Sequence, residues 1–143
     1  MTKTKHNVEQ ILIAGNPVRF PITGWSMYPF LSNGDLVTVE PIGNRRLRIN
    51  DAVLYRRTDG PLVLHRIIRI NHDQIFCCGD NQTDIEGPLK REQMIGILQS
   101  YSHRGKQFNT DSFMYELKTS IWRLLRPLRP FISKTVHRLK NRF

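Results

Sequence analysis

Cysteine is scarce in this chain: there are two, Cys77 and Cys78, and they are adjacent. Neighbours on a strand point to opposite faces, which rules out an ordinary disulfide between them. Two adjacent thiols give neither a disulfide framework nor zinc-ligand spacing, and no metal or cofactor is expected; a reducing compartment suits them. Long apolar runs are missing too. None approaches the ~18 residues of a membrane span, and the first ten residues, MTKTKHNVEQ, lack the apolar core of a signal peptide. The expectation is a cytoplasmic protein. Acidic residues thin out toward the C-terminus. Residues 1–110 hold 14 Lys/Arg against 10 Asp/Glu, whereas residues 111–143 hold 8 against 2. The basic character therefore belongs largely to the tail and points to an acidic surface.

What is present is ordinary for a globular protein. The apolar share is 39%, the charged share 24%, and 143 residues suit one domain with an appendage. Val8, Ile11, Leu12 and Ala14 predict a short helix closed by Gly15, within a segment spanning 1–16. Strands follow. Val18, Phe20 and Ile22 alternate with Arg19 and Pro21, as on an edge strand that tolerates proline. Further strands are predicted at 36–39, 52–56, 62–70 and 74–78, with a last one at 94–98. Ser32-Asn33-Gly34-Asp35, Thr58-Asp59-Gly60-Pro61 and Gly79-Asp80-Asn81 supply the turns. Short strands so punctuated predict a mostly β, small barrel-like or sheet domain over 17–105.

Residues 106–143 read differently. Phe113, Leu117, Ile121, Leu124, Leu125, Leu128, Ile132, Val136 and Leu139 recur every three or four positions, with lysines and arginines mostly between them. That is a basic amphipathic helical tail, broken by Pro127 and Pro130 into two short helices. Two uses compete: packing the apolar stripe on the domain, or lying peripherally on anionic membrane. In the second, Trp122 and Phe131 sit at headgroup depth, with Arg123, Arg126 and Arg129 toward the lipid charge. Nucleic acid is not expected, since no recognition-helix pair or stacking platform is visible.

The stretch GWSMYPFLSNGDLVTV raises the question of chemistry, because Ser26 stands in a turn ahead of a strand. A serine is a nucleophile only with a base in reach and donors for the oxyanion. Of five histidines, His6 and His137 are near the termini, and His72 and His103 lie in polar surroundings. His65 lies inside the apolar run VLHRII, where an imidazole needs a partner.

Together, GWSMYPFLSNGDLVTV, INDAVLYRR, LHRII and FCCGDNQTD…MIGIL resemble the signal peptidase I family of serine peptidases. The likeness covers 18–98, and His65-Arg66-Ile67 matches the histidine-bearing archaeal and endoplasmic-reticulum branch rather than the lysine-bearing bacterial one. The resemblance implies a signal-peptidase-like β domain cleaving a leader or signal-type peptide from a peptide or preprotein substrate. It makes Ser26 the nucleophile and His65 the general base, with either Asp80 or Asp84 holding the imidazole. Met27 and Pro29 would shape the cleft. Gly24 stands where the bacterial type often carries a hydroxyl donor, leaving the oxyanion to the Ser26 N–H. Losing one such donor costs on the order of 100-fold in rate.

Two other functions are compatible with the residues. A LexA-type self-cleaving regulator shares Ser-Met and cuts at Ala-Gly, here Ala14-Gly15, but Ser26 follows Gly15 by only 11 positions and the base is histidine rather than lysine. A catalytically retired, membrane-docked binding module has no need of the retained Ser26, His65 and Asp80/Asp84 set. The oligomeric state is not legible.

Overall fold

The structure, a computed structural model, describes residues 2–126, with side chains from Asn7 onward. The elements are α1 (Thr2–Ile13), β1 (Val18–Pro21), β2 (Leu36–Pro41), β3 (Ala52–Arg56), β4 (Leu62–Asn71), β5 (Gln74–Cys78), β6 (Glu86–Leu89), β7 (Met94–His103), β8 (Lys106–Asn109) and α2 (Phe113–Leu124). All eight strands pair antiparallel in the order β1-β2-β7-β3-β4-β5-β6, and β8 adds to β7. The path is open from β1 to β6. The mostly β expectation is met by a sheet rather than a closed barrel.

β7 organises the sheet. β2 lies along one side of it, from Gly96 to Ser102, while the other side is shared by β3 near Met94–Ile97 and β8 at Ser100–His103. A strand covered on both faces is apolar on both, and β3 is: Ala52 to Tyr55 are all buried. Because side chains alternate, Leu54 enters one core while Val53 and Tyr55 enter the other. The first core holds Val37, Val39 and Leu98, covered by Val8 and Leu12 of α1, Met27 and Leu31 of the Ser26 turn, and Tyr115 of α2. The second holds Ile67, Ile75, Cys77 and Leu89, where β5 and β6 curl over. Cys77 and Cys78 are both buried free thiols, and burial pushes the Cys77 thiol up to about 12.

Three expectations are corrected. The strand beginning at Met94 runs on to His103 and is not the last. β6 was not foreseen, because Gly87-Pro88 within it reads as a breaker. The domain does not end at residue 105, since β8 extends the sheet and Tyr115 joins the core. No helix among the described residues is long and apolar enough to cross a membrane. The expected second tail helix, with Arg129 and Phe131, lies outside the described residues.

Candidate active site

The Ser26 turn is built by a string of local hydrogen bonds. Gly24 adopts a φ of +90°, and its N–H donates to Asn33 Oδ1 at 2.8 Å. The N–H groups of Tyr28, Phe30 and Leu31 then close turns on Trp25 and Met27. This winding sends Met27 and Leu31 into the core and leaves Ser26 half-buried and Pro29 exposed. Met27 is thus a packing residue of the turn.

The turn is docked on the Gly79-Asp80-Asn81 loop. Asn81 N–H donates to the Ser26 carbonyl at 2.9 Å, and Asn81 Nδ2 to the Trp25 carbonyl at 3.2 Å. Gly79 permits that approach, since a Cβ there would lie 2.6 Å from the Ser26 carbonyl oxygen. Two of the sequence-predicted segments, 55 residues of chain apart at Ser26 and Asn81, therefore meet through backbone.

Asp80 is placed differently from expectation. It is fully buried, and its two carboxylate oxygens accept from Arg66 Nε at 2.8 Å and Nη2 at 2.7 Å. Arg66, 1% exposed, also donates to the Asn50 carbonyl and the Tyr115 hydroxyl, and its guanidinium lies against the Phe30 and Tyr115 rings. Burial opposes its charge, but Asp80 and Tyr115 outweigh that and raise its pKa. Asp80 is therefore the structural partner of an arginine. Asp84 is exposed on the rim of the His65 cavity.

His65 and Arg66 are consecutive on β4 and so face opposite sides of the sheet. His65 is 4% exposed, and burial pushes its imidazole down to about 4, so it is neutral at pH 7. Its Nδ1 lies 3.2 Å from the Tyr55 hydroxyl. Tyr55 in turn donates to Glu86 Oε2 at 3.0 Å, and Glu86 is gripped by Arg57 through Nε at 2.7 Å and Nη2 at 2.8 Å. Tyr55 lies in the INDAVLYRR segment that carries the resemblance but has no role assigned there, and Glu86 lies on β6, which the sequence pattern does not predict.

His65 lines a cavity of about 540 Å³ with Arg57, Asn81, Gln82, Asp84 and Glu86. No hydrogen bond joins Ser26 to His65, and none is made by His65 Nε2 among the described residues. Catalytic hydrogen bonds are often completed only once substrate binds. A larger depression of about 1160 Å³, lined by Arg46, Arg48, Ile70, His72 and Lys90 among others, contains none of these groups. Chemistry rather than size selects the smaller one.

Two further sequence readings can be located. The Ala14–Gly15 bond forms the hydrogen-bonded end of α1, whose Val8 and Leu12 are in the core, so it is not a free segment ready to enter a cleft. Trp122 is half-buried and donates through Nε1 to the Asp80 carbonyl at 2.6 Å, facing the domain instead of a lipid headgroup layer. Compared with known protein families and with curated proteins, the chain matches none.

Proposed function

We propose that the chain is a serine endopeptidase of the signal peptidase I kind, cutting a leader or signal-type peptide with Ser26 as nucleophile and His65 as base. The observation that carries this is a neutral imidazole with one nitrogen engaged and the other unbonded, lining a cavity beside the loop that docks the Ser26 turn. A histidine kept only for packing has no use for that arrangement. In the reaction, Ser26 Oγ attacks the scissile carbonyl and passes its proton to His65 Nε2. The Ser26 N–H binds the oxyanion, and the imidazolium protonates the departing amine. Water then gives a proton to His65 as its oxygen attacks the acyl-serine carbonyl, and the proton returns to Ser26 as the acid product leaves.

A fluorophosphonate probe tests the reading. Its phosphorus is attacked by an activated serine with loss of fluoride, so intact protein should gain one adduct at Ser26, absent in Ser26→Ala and strongly slowed in His65→Ala. If the folded protein takes no adduct, the binding-module alternative replaces the peptidase.

The tail belongs to the same proposal as a contact with anionic membrane. Tyr115, Thr119 and Trp122 form one face of α2 and meet the domain. Phe113, Met114, Leu117, Ile121 and Leu124 lie on the opposite face and are exposed, Phe113 at 78% and Leu124 at 73%. These five residues, not Trp122, would enter the interface, and the five arginines and lysines of residues 127–143, with no acid among them, complement lipid charge. The protein should sediment with phosphatidylglycerol vesicles and less with phosphatidylcholine ones. Leu117→Glu with Ile121→Glu should release it, and unchanged sedimentation would refute the contact.

A further inference from the structure

We infer that Tyr55, steadied by the Glu86–Arg57 pair, is the positioning residue that fixes the proton of His65, the part assigned by sequence to Asp80 or Asp84. This deepens the proposed function and rests on His65 being its base. The hydrogen bonds determine where each proton sits. Hydrogen bonding by Arg57 lowers the Glu86 pKa, so Glu86 is an ionised carboxylate that only accepts. Burial, then Cys77 and Glu86, push the Tyr55 hydroxyl far above its ordinary range, so the phenol keeps its proton and gives it to Glu86 Oε2. The phenol oxygen then has only lone pairs to offer Nδ1. Nδ1 must carry hydrogen, which leaves the Nε2 lone pair for the serine proton.

The other carboxylates do not compete. Asp80 spends its oxygens on Arg66, and Asp84 is exposed with no hydrogen bond to His65. The charged and titratable groups that act on His65 come from several elements: Tyr55 on β3, Arg57 just beyond it, Asp80 in the loop after β5 and Glu86 on β6, while Cys77 on β5 acts on Tyr55. The fold supports the geometry. Tyr55 and His65 are diagonal neighbours on paired strands, their rings edge-on with centroids 6.1 Å apart. A phenol in contact, with the carboxylate one bond removed, orients the ring but stabilises its cation less than a direct aspartate would. Slow turnover follows.

The glutamate controls the direction of the relay. In Glu86→Gln the amide can donate to the Tyr55 oxygen, which turns the phenol hydrogen toward Nδ1 and moves the imidazole proton to Nε2. The base is then blocked, although size and packing are nearly unchanged.

The test reads the tautomer directly. ¹⁵N NMR of His65 in the full chain at pH 7 should find Nδ1 protonated and Nε2 bare. Tyr55→Phe should mix the tautomers, and Glu86→Gln should move the population toward protonated Nε2. Fluorophosphonate labelling of Ser26 should slow about 10- to 100-fold in each, on the scale of lost general-base assistance. Wild-type protein with hydrogen on Nε2, or unchanged tautomer and labelling in either folded variant, overturns the inference. The two readings fail separately. The expected tautomer shifts with no labelling of wild type would keep the relay and reject the peptidase, and normal labelling with unmoved tautomers would do the reverse.

Discussion

Replacing Asp80 by alanine leaves the Arg66 guanidinium at 1% exposure with no counter-charge. The loss is two charge-assisted hydrogen bonds, at 2.8 and 2.7 Å, while the bonds to the Asn50 carbonyl and Tyr115 hydroxyl and the contacts with the Phe30 and Tyr115 rings remain. Those neutral partners hydrate the cation only in part. Breaking a buried pair by deleting one member costs about 3–5 kcal/mol. For a domain of this size that is a fall in Tm of roughly 10–20 °C. Urea denaturation followed by circular dichroism measures it. The paired change Arg66→Met with Asp80→Leu should cost less than Asp80→Ala alone, because no bare charge is left behind. A loss below about 1 kcal/mol for Asp80→Ala would refute the view of Asp80 as the compensating charge of a buried arginine. It would return Asp80 to the set of candidate orienters of His65.

Gly79→Ala puts a Cβ 2.6 Å from the Ser26 carbonyl oxygen, so the Ser26 turn must lift off the loop; Ser26 labelling should fall at least about 10-fold with the β-sheet circular dichroism intact, and unchanged labelling would show that the docking is not needed. His65 has a folded pKa of about 4 against an ordinary 6.5, so the unfolded chain binds the extra proton between these values. Its contribution is present above pH 6.5 and is lost as pH falls toward 4, about 3 kcal/mol in all, and wild type and His65→Gln with parallel stability–pH curves would contradict it. Truncation after Thr110 removes Tyr115, Thr119 and Trp122 and should cost at least about 3 kcal/mol by urea denaturation; unchanged stability would make α2 a mere appendage.

The local pattern made most strands readable. The segments at 52–56 and 74–78 match β3 and β5 residue for residue, because an apolar run between turn signals has little else to become. Asn50, in the turn before β3, takes a φ of +85°, as the tolerance of asparagine for the left-handed region allows. His65 was also legible, as an imidazole in an apolar strand. What stayed hidden was every partner fixed by curvature. Glu86 meets Tyr55 only because β5 and β6 curl over the second core, and no periodicity encodes that. The inward face of α2 was missed for another reason. Tyr115, Thr119 and Trp122 are less apolar than Phe113, Leu117 and Ile121, yet their hydroxyl and indole groups bond to Arg66, Asn50 and Asp80, so polarity rather than hydropathy chose the buried face.

That choice follows from the cost of Arg66. A guanidinium this deep must have its donors satisfied by groups that arrive from elsewhere in the chain. Asp80 comes from the loop that docks Ser26, Asn50 from the turn before β3, and Tyr115 from α2. Asn50 is tied back to Thr119, and the Asp80 carbonyl to Trp122, so the helix is bonded to both segments that hold the arginine. Displacing α2 therefore removes the Tyr115 hydroxyl acceptor from Arg66 and frees Asn50 and the Asp80 carbonyl from Thr119 and Trp122, and the first element to feel it is the Gly79-Asp80-Asn81 loop on which the Ser26 carbonyl rests. The helix whose outer face exposes Phe113, Leu117 and Leu124 is on its inner face a support of the Ser26 turn. A membrane contact that tilted α2 would reach Ser26 through one hydrogen bond at Asp80 and another at Asn81.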